Sequence, residues 1–190
     1  VINVGKSVTE PTLRKTLAIG ADRAFRIDSV PYDGFFVAKQ ISEFLKSNNY
    51  DLIIAGRESI DHNGAMVPGM IAALNNINFV TNCVKLEINE TIATTEREID
   101  GGKEVLSCKL PLVIGGQKGL VEESDLRIPN MRGIMQARQK PLTVIPAFEC
   151  EIKTNSIKYH KPKPREKVKL VSSENLEHLI DLLHNEAKVL

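Results

Sequence analysis

Asp51-Leu-Ile-Ile-Ala55, with the segment that follows it, Gly56-Arg-Glu-Ser-Ile-Asp-His-Asn-Gly-Ala-Met-Val67, decides how this chain folds. Leu52 to Ala55 are apolar without alternation, the mark of a strand covered on both faces. Upstream, Val1 to Val4 reads as another buried strand. Thr9 is placed to cap a helix with Pro11 in its first turn, Leu13, Leu17 and Ala18 on one face, and Gly20 at its end. Ala24 to Ile27 is the next short strand. Pro31 and Asp33 then lead into a helix whose apolar stripe is Val37, Ala38, Ile41, Phe44 and Leu45. Strand, helix, strand, helix, strand predicts an α/β fold: a parallel sheet with right-handed crossovers and helices on both faces.

Beyond Gly64 a helix is expected over about Ala65 to Leu74, and the texture changes at Asn78. Val84, Leu86 and Ile88 alternate with Lys85 and Glu87, as in a half-exposed strand. Asn89-Glu90 and Asp100-Gly101-Gly102 read as turns, and Val105 to Lys109 and Leu112 to Ile114 continue the strands into an antiparallel ribbon. A short basic helix is expected from Gly133 to Lys140, stopped by Pro141. From Ala147 to Leu170 the chain is polar, proline-bearing and aperiodic, as an extended linker or a partner-binding arm would be. Its basic part is His160 to Lys169. The last segment is helical, with Ser173 as the cap and Leu176, Leu179, Ile180 and Leu183 on its apolar face. That face must be buried on its own domain or on a partner.

The chain has 190 residues, 42% hydrophobic and 26% charged, with a formal charge of +1. These values suit an ordinary globular chain and argue against nucleic-acid binding driven by net charge. No apolar run reaches the length of a membrane span, so no membrane insertion is expected. The start reads as a strand entered in mid-sequence, which puts the natural beginning upstream. Cys83, Cys108 and Cys150 are widely separated without metal or redox spacing, and are expected to be buried thiols in a reducing compartment.

Two segments carry chemistry. The loop Gly56 to Val67 follows a strand and precedes a helix, the ligand position of an open α/β sheet. The N–H groups of Asn63, Gly64, Ala65, Met66 and Val67 are expected to point outward and receive a phosphate, with the helix dipole adding about 0.3–1 kcal/mol. Without a phosphate-loop lysine or a dinucleotide glycine pattern, such a loop would cradle a phosphate rather than hydrolyse it. Asp61 and His62 are adjacent, and a structural or ribose-binding Asp61 fits better than acid–base work. The second segment is Arg127-Ile-Pro-Asn-Met-Arg-Gly-Ile-Met-Gln-Ala-Arg-Gln-Lys140, which sets Met131 between polar neighbours. An exposed Met is an adaptable contact, and burying it on a partner yields about 1.5–3 kcal/mol.

Four blocks in order resemble the beta subunit of the electron transfer flavoproteins. They are Leu17 to Ala24, Gly56 to Val67, Arg97 to Leu106 with Leu110 to Ile114, and Arg127 to Lys140. The resemblance spans Val1 to about Pro146, and more loosely the terminal helix. It implies a Rossmann-like sheet of the adenine nucleotide alpha hydrolase type, with the antiparallel ribbon and a C-terminal arm ending in a helix. The nucleotide-binding domain would be residues 1–146, including a recognition loop at 122–140 and lacking its first βα unit; the arm would be 147–190. The resemblance further implies an AMP held structurally by Val4, Asp61, His62, Asn63, Gly64, Ala65, Met66 and Val67. It implies an FAD shared with an alpha subunit, and a recognition loop in which Arg127, Met131, Ile134 and Met135 meet partners. Met131 stands where the family has an anchoring leucine. Those partners would be acyl-CoA dehydrogenases and a quinone oxidoreductase, in a bacterial cytoplasm or a mitochondrial matrix. The subunit would have no catalytic residues of its own. A bifurcating relative with a second FAD in place of AMP, a nucleotide-hydrolysing or ligating enzyme, and a nucleotide-sensing module of similar fold are the competing readings.

Overall fold

The computed structural model describes residues 1–165 and 167–190; Glu166, inside the expected linker, lies outside the described residues. Two compact units divide the chain, Val1–Asn155 and Ser156–Leu190. In the first, β1 (Ile2–Val4), α1 (Glu10–Ala18), β2 (Ala24–Asp28), α2 (Gly34–Leu45), β3 (Leu52–Gly56) and α3 (Val67–Asn75) realise the expected alternation. There follow β4 (Asn78–Asn89), β5 (Ile92–Ile99), β6 (Gly102–Lys109), β7 (Leu112–Gly116), α4 (Met131–Ala137) and β8 (Leu142–Pro146).

The parallel pairings fall in two sheets rather than one. A three-stranded sheet runs β1-β2-β8, and a five-stranded one runs β3-β7-β4-β5-β6. All pairings in the first are parallel, as are β3 with β7 and β7 with β4. One helix ties the two together. Ile41 and Leu45 of α2 pack against the cluster of Val4, Ile27, Phe36 and Phe44, and equally against that of Ala38, Ile71, Ala72 and Val113. β1 and β3 are therefore outer strands. Among the described residues neither has a ladder partner on its free side, and Ile54, in the middle of β3, is 61% exposed.

The ribbon is β4-β5-β6, antiparallel throughout. Leu112 to Ile114 do not extend it, as the alternating texture had suggested. They return as β7 between β3 and β4, with Leu112, Val113 and Ile114 all fully buried. A strand covered on both faces shows no period of two, so pattern alone joined it to the wrong neighbour. β8 pairs with β2 from Ala24↔Leu142 to Asp28↔Pro146 and closes the small sheet.

Several helix ends differ from expectation. Thr9 stands at the start of α1 but makes no cap; its hydroxyl donates to the Lys6 carbonyl inside a 3-10 turn at Ser7–Thr9. Asp33 does cap α2, accepting from the Phe36 N–H at 2.6 Å. In the second unit, Asn175 rather than Ser173 caps α5 (Leu176–Asp181), accepting from the His178 N–H, and a π-helical turn at Leu182–Glu186 follows. Leu176, Leu179 and Ile180 of that helix are exposed.

Candidate functional site

The loop between β3 and α3 continues the ladder for one residue, the Arg57 N–H donating to the Gly116 carbonyl, and then leaves the sheet. A turn follows in which the Asn63 N–H donates to the Ser59 carbonyl at 2.8 Å. The Asn63 amide is thus engaged within the loop rather than aimed at a ligand. Asn63 (φ 46°) and Ala65 (φ 47°) both adopt left-handed backbone, unusual for Ala, and this bends the chain sharply before α3 begins. The N–H groups of Gly64, Ala65, Met66 and Val67 make no protein hydrogen bond among the described residues. Pro68, in the first turn of α3, has no N–H to offer. Four consecutive unpaired amides at the start of a nine-residue helix are a set of donors for an anion.

Asp61 and His62 are exposed and Ile60 is 95% exposed, so the tip of the loop stands in solvent. Met66 turns inward at the other end. A Cβ on Gly34, the first residue of α2, would lie 2.7 Å from the Met66 sulfur, so that thioether rests on the bare backbone where α2 starts. Val4 is placed differently from the rest. Its side chain is buried with Ile27, Phe36 and Phe44, leaving only its backbone to face a ligand. The loop after β1 comes close to itself: a Cβ on Gly5 would lie 2.6 Å from Asn3 Oδ1 and 2.8 Å from Thr9 Cγ2. Asn3 Oδ1 is buried without a hydrogen-bond partner among the described residues.

Arg26, 5% exposed, holds the base of that loop. It donates to Gly5 O at 2.9 Å, Asp28 Oδ1 at 2.8 Å and Glu10 Oε1 at 2.9 Å. The hydrogen bond from Arg26 keeps the Asp28 carboxyl below the usual carboxylate range. Nothing in the sequence pattern singled out this buried arginine, since its two carboxylate partners lie on different elements.

The recognition segment is a helix fastened at both ends. Met131 is the first residue of α4 rather than part of the preceding loop, because Asn130 caps it, accepting from the Gly133 N–H at 2.7 Å. Gly133 and Ala137 face α1. A Cβ on Gly133 would lie 2.4 Å from the Ala18 carbonyl oxygen, so only glycine permits this approach. Ala137 is buried with Leu13, Leu17 and Ala24. The two helices also cap each other. Arg14 of α1 donates to the carbonyls of Ala137 and Lys140 at 2.8 and 2.7 Å, and Lys140 donates to those of Leu17 and Ala21 at 3.0 and 2.7 Å. Cations at helix C-termini satisfy orphan carbonyls and oppose the negative end of the dipole. With the inner face so fixed, the outer face is Met131, Ile134 and Met135, at spacing i, i+3, i+4, exposed by 76%, 42% and 58%. Ile128, just upstream, is 84% exposed, and the Arg127 guanidinium passes within 2.9 Å of where a Gly20 Cβ would stand.

The two cavities described in the first unit lie elsewhere. One, of about 510 Å³, is walled by Arg57, Asn82, Arg97, Glu98 and Gln117. Arg57 pairs with Glu58 and Arg97 with Glu104, while the Gln117 amide accepts from Arg57 and donates to Glu98. The three cysteines are free, and burial pushes the Cys83 and Cys108 thiols up. Among the described residues no cluster of His, Cys, Asp or Glu could hold a metal, and no helix is long and apolar enough to cross a membrane.

A parallel α/β core, an antiparallel ribbon, an amide-lined strand-to-helix loop and an exposed apolar helix face are thus combined in one unit. The chain belongs to the electron transfer flavoprotein family: the family model for the electron transfer flavoprotein domain matches residues 1–149. Within that family the similarity is to beta subunits. The electron transfer flavoprotein subunit beta of Bacillus subtilis is 33% identical over all of this chain and 78% of its own length. The mitochondrial subunit beta of Oryza sativa subsp. indica is 34% identical over 98% of this chain and 76% of its own, and that of Syntrophomonas wolfei 32% over 85% and 64%. Proteins so named are electron carriers rather than catalysts of bond chemistry.

Proposed function

We propose that this chain works with an alpha subunit to support an FAD that carries electrons from acyl-CoA dehydrogenases and related flavoenzymes to a quinone oxidoreductase and the respiratory quinone pool. Its own part is to bind AMP structurally and to hold the donor. The observation that carries the second role is Met131, three-quarters exposed at the head of a helix whose other face is locked to α1. With the helix backbone already fixed, the burial energy on docking is offset by the ordering of the Met side chain alone, about 0.5–1.5 kcal/mol. The outward-facing Ile134 and Met135 widen the contact, and Arg127 flanks it. AMP is assigned to the amides of Gly64 to Val67, with the loop at Asp61 to Asn63 and the backbone at Val4 alongside. Four consecutive donors at a helix start suit a phosphate, and FAD is assigned to the alpha subunit. The organisms of the relatives point to a bacterial cytoplasm or a mitochondrial matrix as the compartment.

The test is co-expression with the alpha subunit. A yellow heterodimer containing one flavin and one AMP is expected. Two flavins and no AMP would instead assign the nucleotide site to a bifurcating carrier. In that heterodimer Met131→Ala should lower the second-order rate of reduction by a donor dehydrogenase about tenfold, from the loss of about 1.5 kcal/mol of contact, with flavin content unchanged. An unaltered rate removes Met131 as the anchor.

A further inference from the structure

The segment after β8 is strapped to α2 at two points of different character. At the first, Gln40 imitates a neighbouring strand. Its Nε2 donates to the Phe148 carbonyl at 2.8 Å and its Oε1 accepts from the Phe148 N–H at 2.8 Å. Gln40 is fully buried, and its Nε2 also reaches the Cys150 sulfur at 3.4 Å. At the second, Asp33 divides its carboxylate between two duties. Oδ1 caps α2, while Oδ2 accepts from the N–H groups of Lys153 at 2.6 Å and Thr154 at 2.7 Å. The Lys153 ammonium lies 5.4 Å from the centre of the Phe35 ring.

The second point is more open to water than the first, where Gln40 is fully buried and its bonds with Phe148 are part-buried. Lys153 and Thr154 are exposed, and a cavity of about 440 Å³ lies beside them, lined by Tyr32 and residues 152–155. Hydrogen bonds in contact with solvent open at lower free energy than buried ones. Two residues past Thr154, at Ser156, the second compact unit begins.

We propose that Asp33 is a releasable pin that sets the length of the tether to the C-terminal unit. With the pin closed, the free chain starts after Thr154. With it open and Gln40 still holding, Glu151 to Thr154 join the tether. Those four residues add roughly 14 Å of reach at full extension. The chain thereby has two tether lengths without unfolding its core, because the cap on α2 and the grip on Phe148 do not depend on the Lys153 and Thr154 amides.

Asp33→Ser in the full chain separates the pin from the cap. Serine caps helices about as well as aspartate, but its shorter, uncharged side chain cannot also reach the strap. Amide exchange at Lys153 and Thr154 should rise about tenfold or more, as for a freed segment. Tryptic cleavage after Lys153 should accelerate, while exchange at Phe148 and in α2 stays at the wild-type rate. Gln40→Leu should in contrast raise exchange at Phe148. Unchanged exchange at Lys153 and Thr154 in Asp33→Ser would overturn the proposal. So would an equal rise at Phe148, since the strap would then release as one piece.

Discussion

Replacing Gly133 by alanine probes the helix pair that presents Met131. The added Cβ would stand 2.4 Å from the Ala18 carbonyl oxygen, with Ala18 C and Asn130 Oδ1 at 3.5 and 3.3 Å. The closest atom is backbone, at the C-terminal end of α1, so no side-chain rotation relieves the clash. α4 must move outward by several tenths of an ångström at least. That movement stretches the bonds from Arg14 to Ala137 and Lys140, and from Lys140 to Leu17 and Ala21, all now between 2.7 and 3.0 Å. Overpacking of this kind costs about 1–3 kcal/mol. Alanine's better helix propensity returns about 1 kcal/mol, and the weakened bonds between the helices offset that return. The expected outcome is a net loss of about 1–3 kcal/mol, read by urea unfolding. For a chain of this size that is a fall in melting temperature of roughly 2–10 °C. Gly102→Ala is the control, because a Cβ there meets nothing within 4 Å. A Gly133→Ala variant as stable as the parent, with α4 amides exchanging at the parent rate, would refute the close-contact argument. It would also loosen the case for a rigid Met131.

Gln40→Leu should cost about 1–3 kcal/mol, because the part-buried Phe148 N–H and carbonyl would both lose their partner; urea unfolding reads it, and a loss under about 0.5 kcal/mol would mean that water takes over the role. Acid should loosen the strap. Burial raises the Asp33 pKa, but the amides of Phe36, Thr154 and Lys153 together lower it further, and the net value lies below the ordinary one. A carboxyl with a depressed folded pKa contributes its stability in full above the ordinary value of about 3.9 and loses it as pH falls through the folded value. Protection of the Lys153 and Thr154 amides should therefore hold from pH 7 to about 5 and decline below about 4; protection that declined instead on raising the pH would contradict the assignment.

The alternation of strands and helices from Val1 to Ala55 was legible because helices with an apolar stripe of period 3.6 separate short apolar runs bounded by turn residues. β7 was misjoined because it follows β6 with no helix between them, and with both faces covered Leu112 to Ile114 carry no alternation to show that they leave the ribbon. Caps were half legible. Asp33 was well placed and proved to cap, whereas Thr9 holds the cap position but spends its hydroxyl on the Lys6 carbonyl, and Ser173 lies two residues before the residue that caps, Asn175. The expected free amide of Asn63 was lost to a turn with Ser59 that no pattern announces. Gly133 illustrates a wider gap. A glycine in a short helix reads as a weak point, and only the passage of α1 beneath it shows why a side chain cannot fit. Gln40 and Arg26 escaped notice likewise, Gln40 because its partner is 108 residues away and Arg26 because its acceptors sit on three segments.

The free borders of β1 and β3 carry a practical consequence. A row of unsatisfied amides and carbonyls beside apolar residues such as Ile54 is a template for any extended peptide, a second copy of the same polypeptide included. An extended peptide that pairs with either border should be held there by backbone hydrogen bonds, and slowed exchange of the β1 and β3 amides would report the pairing.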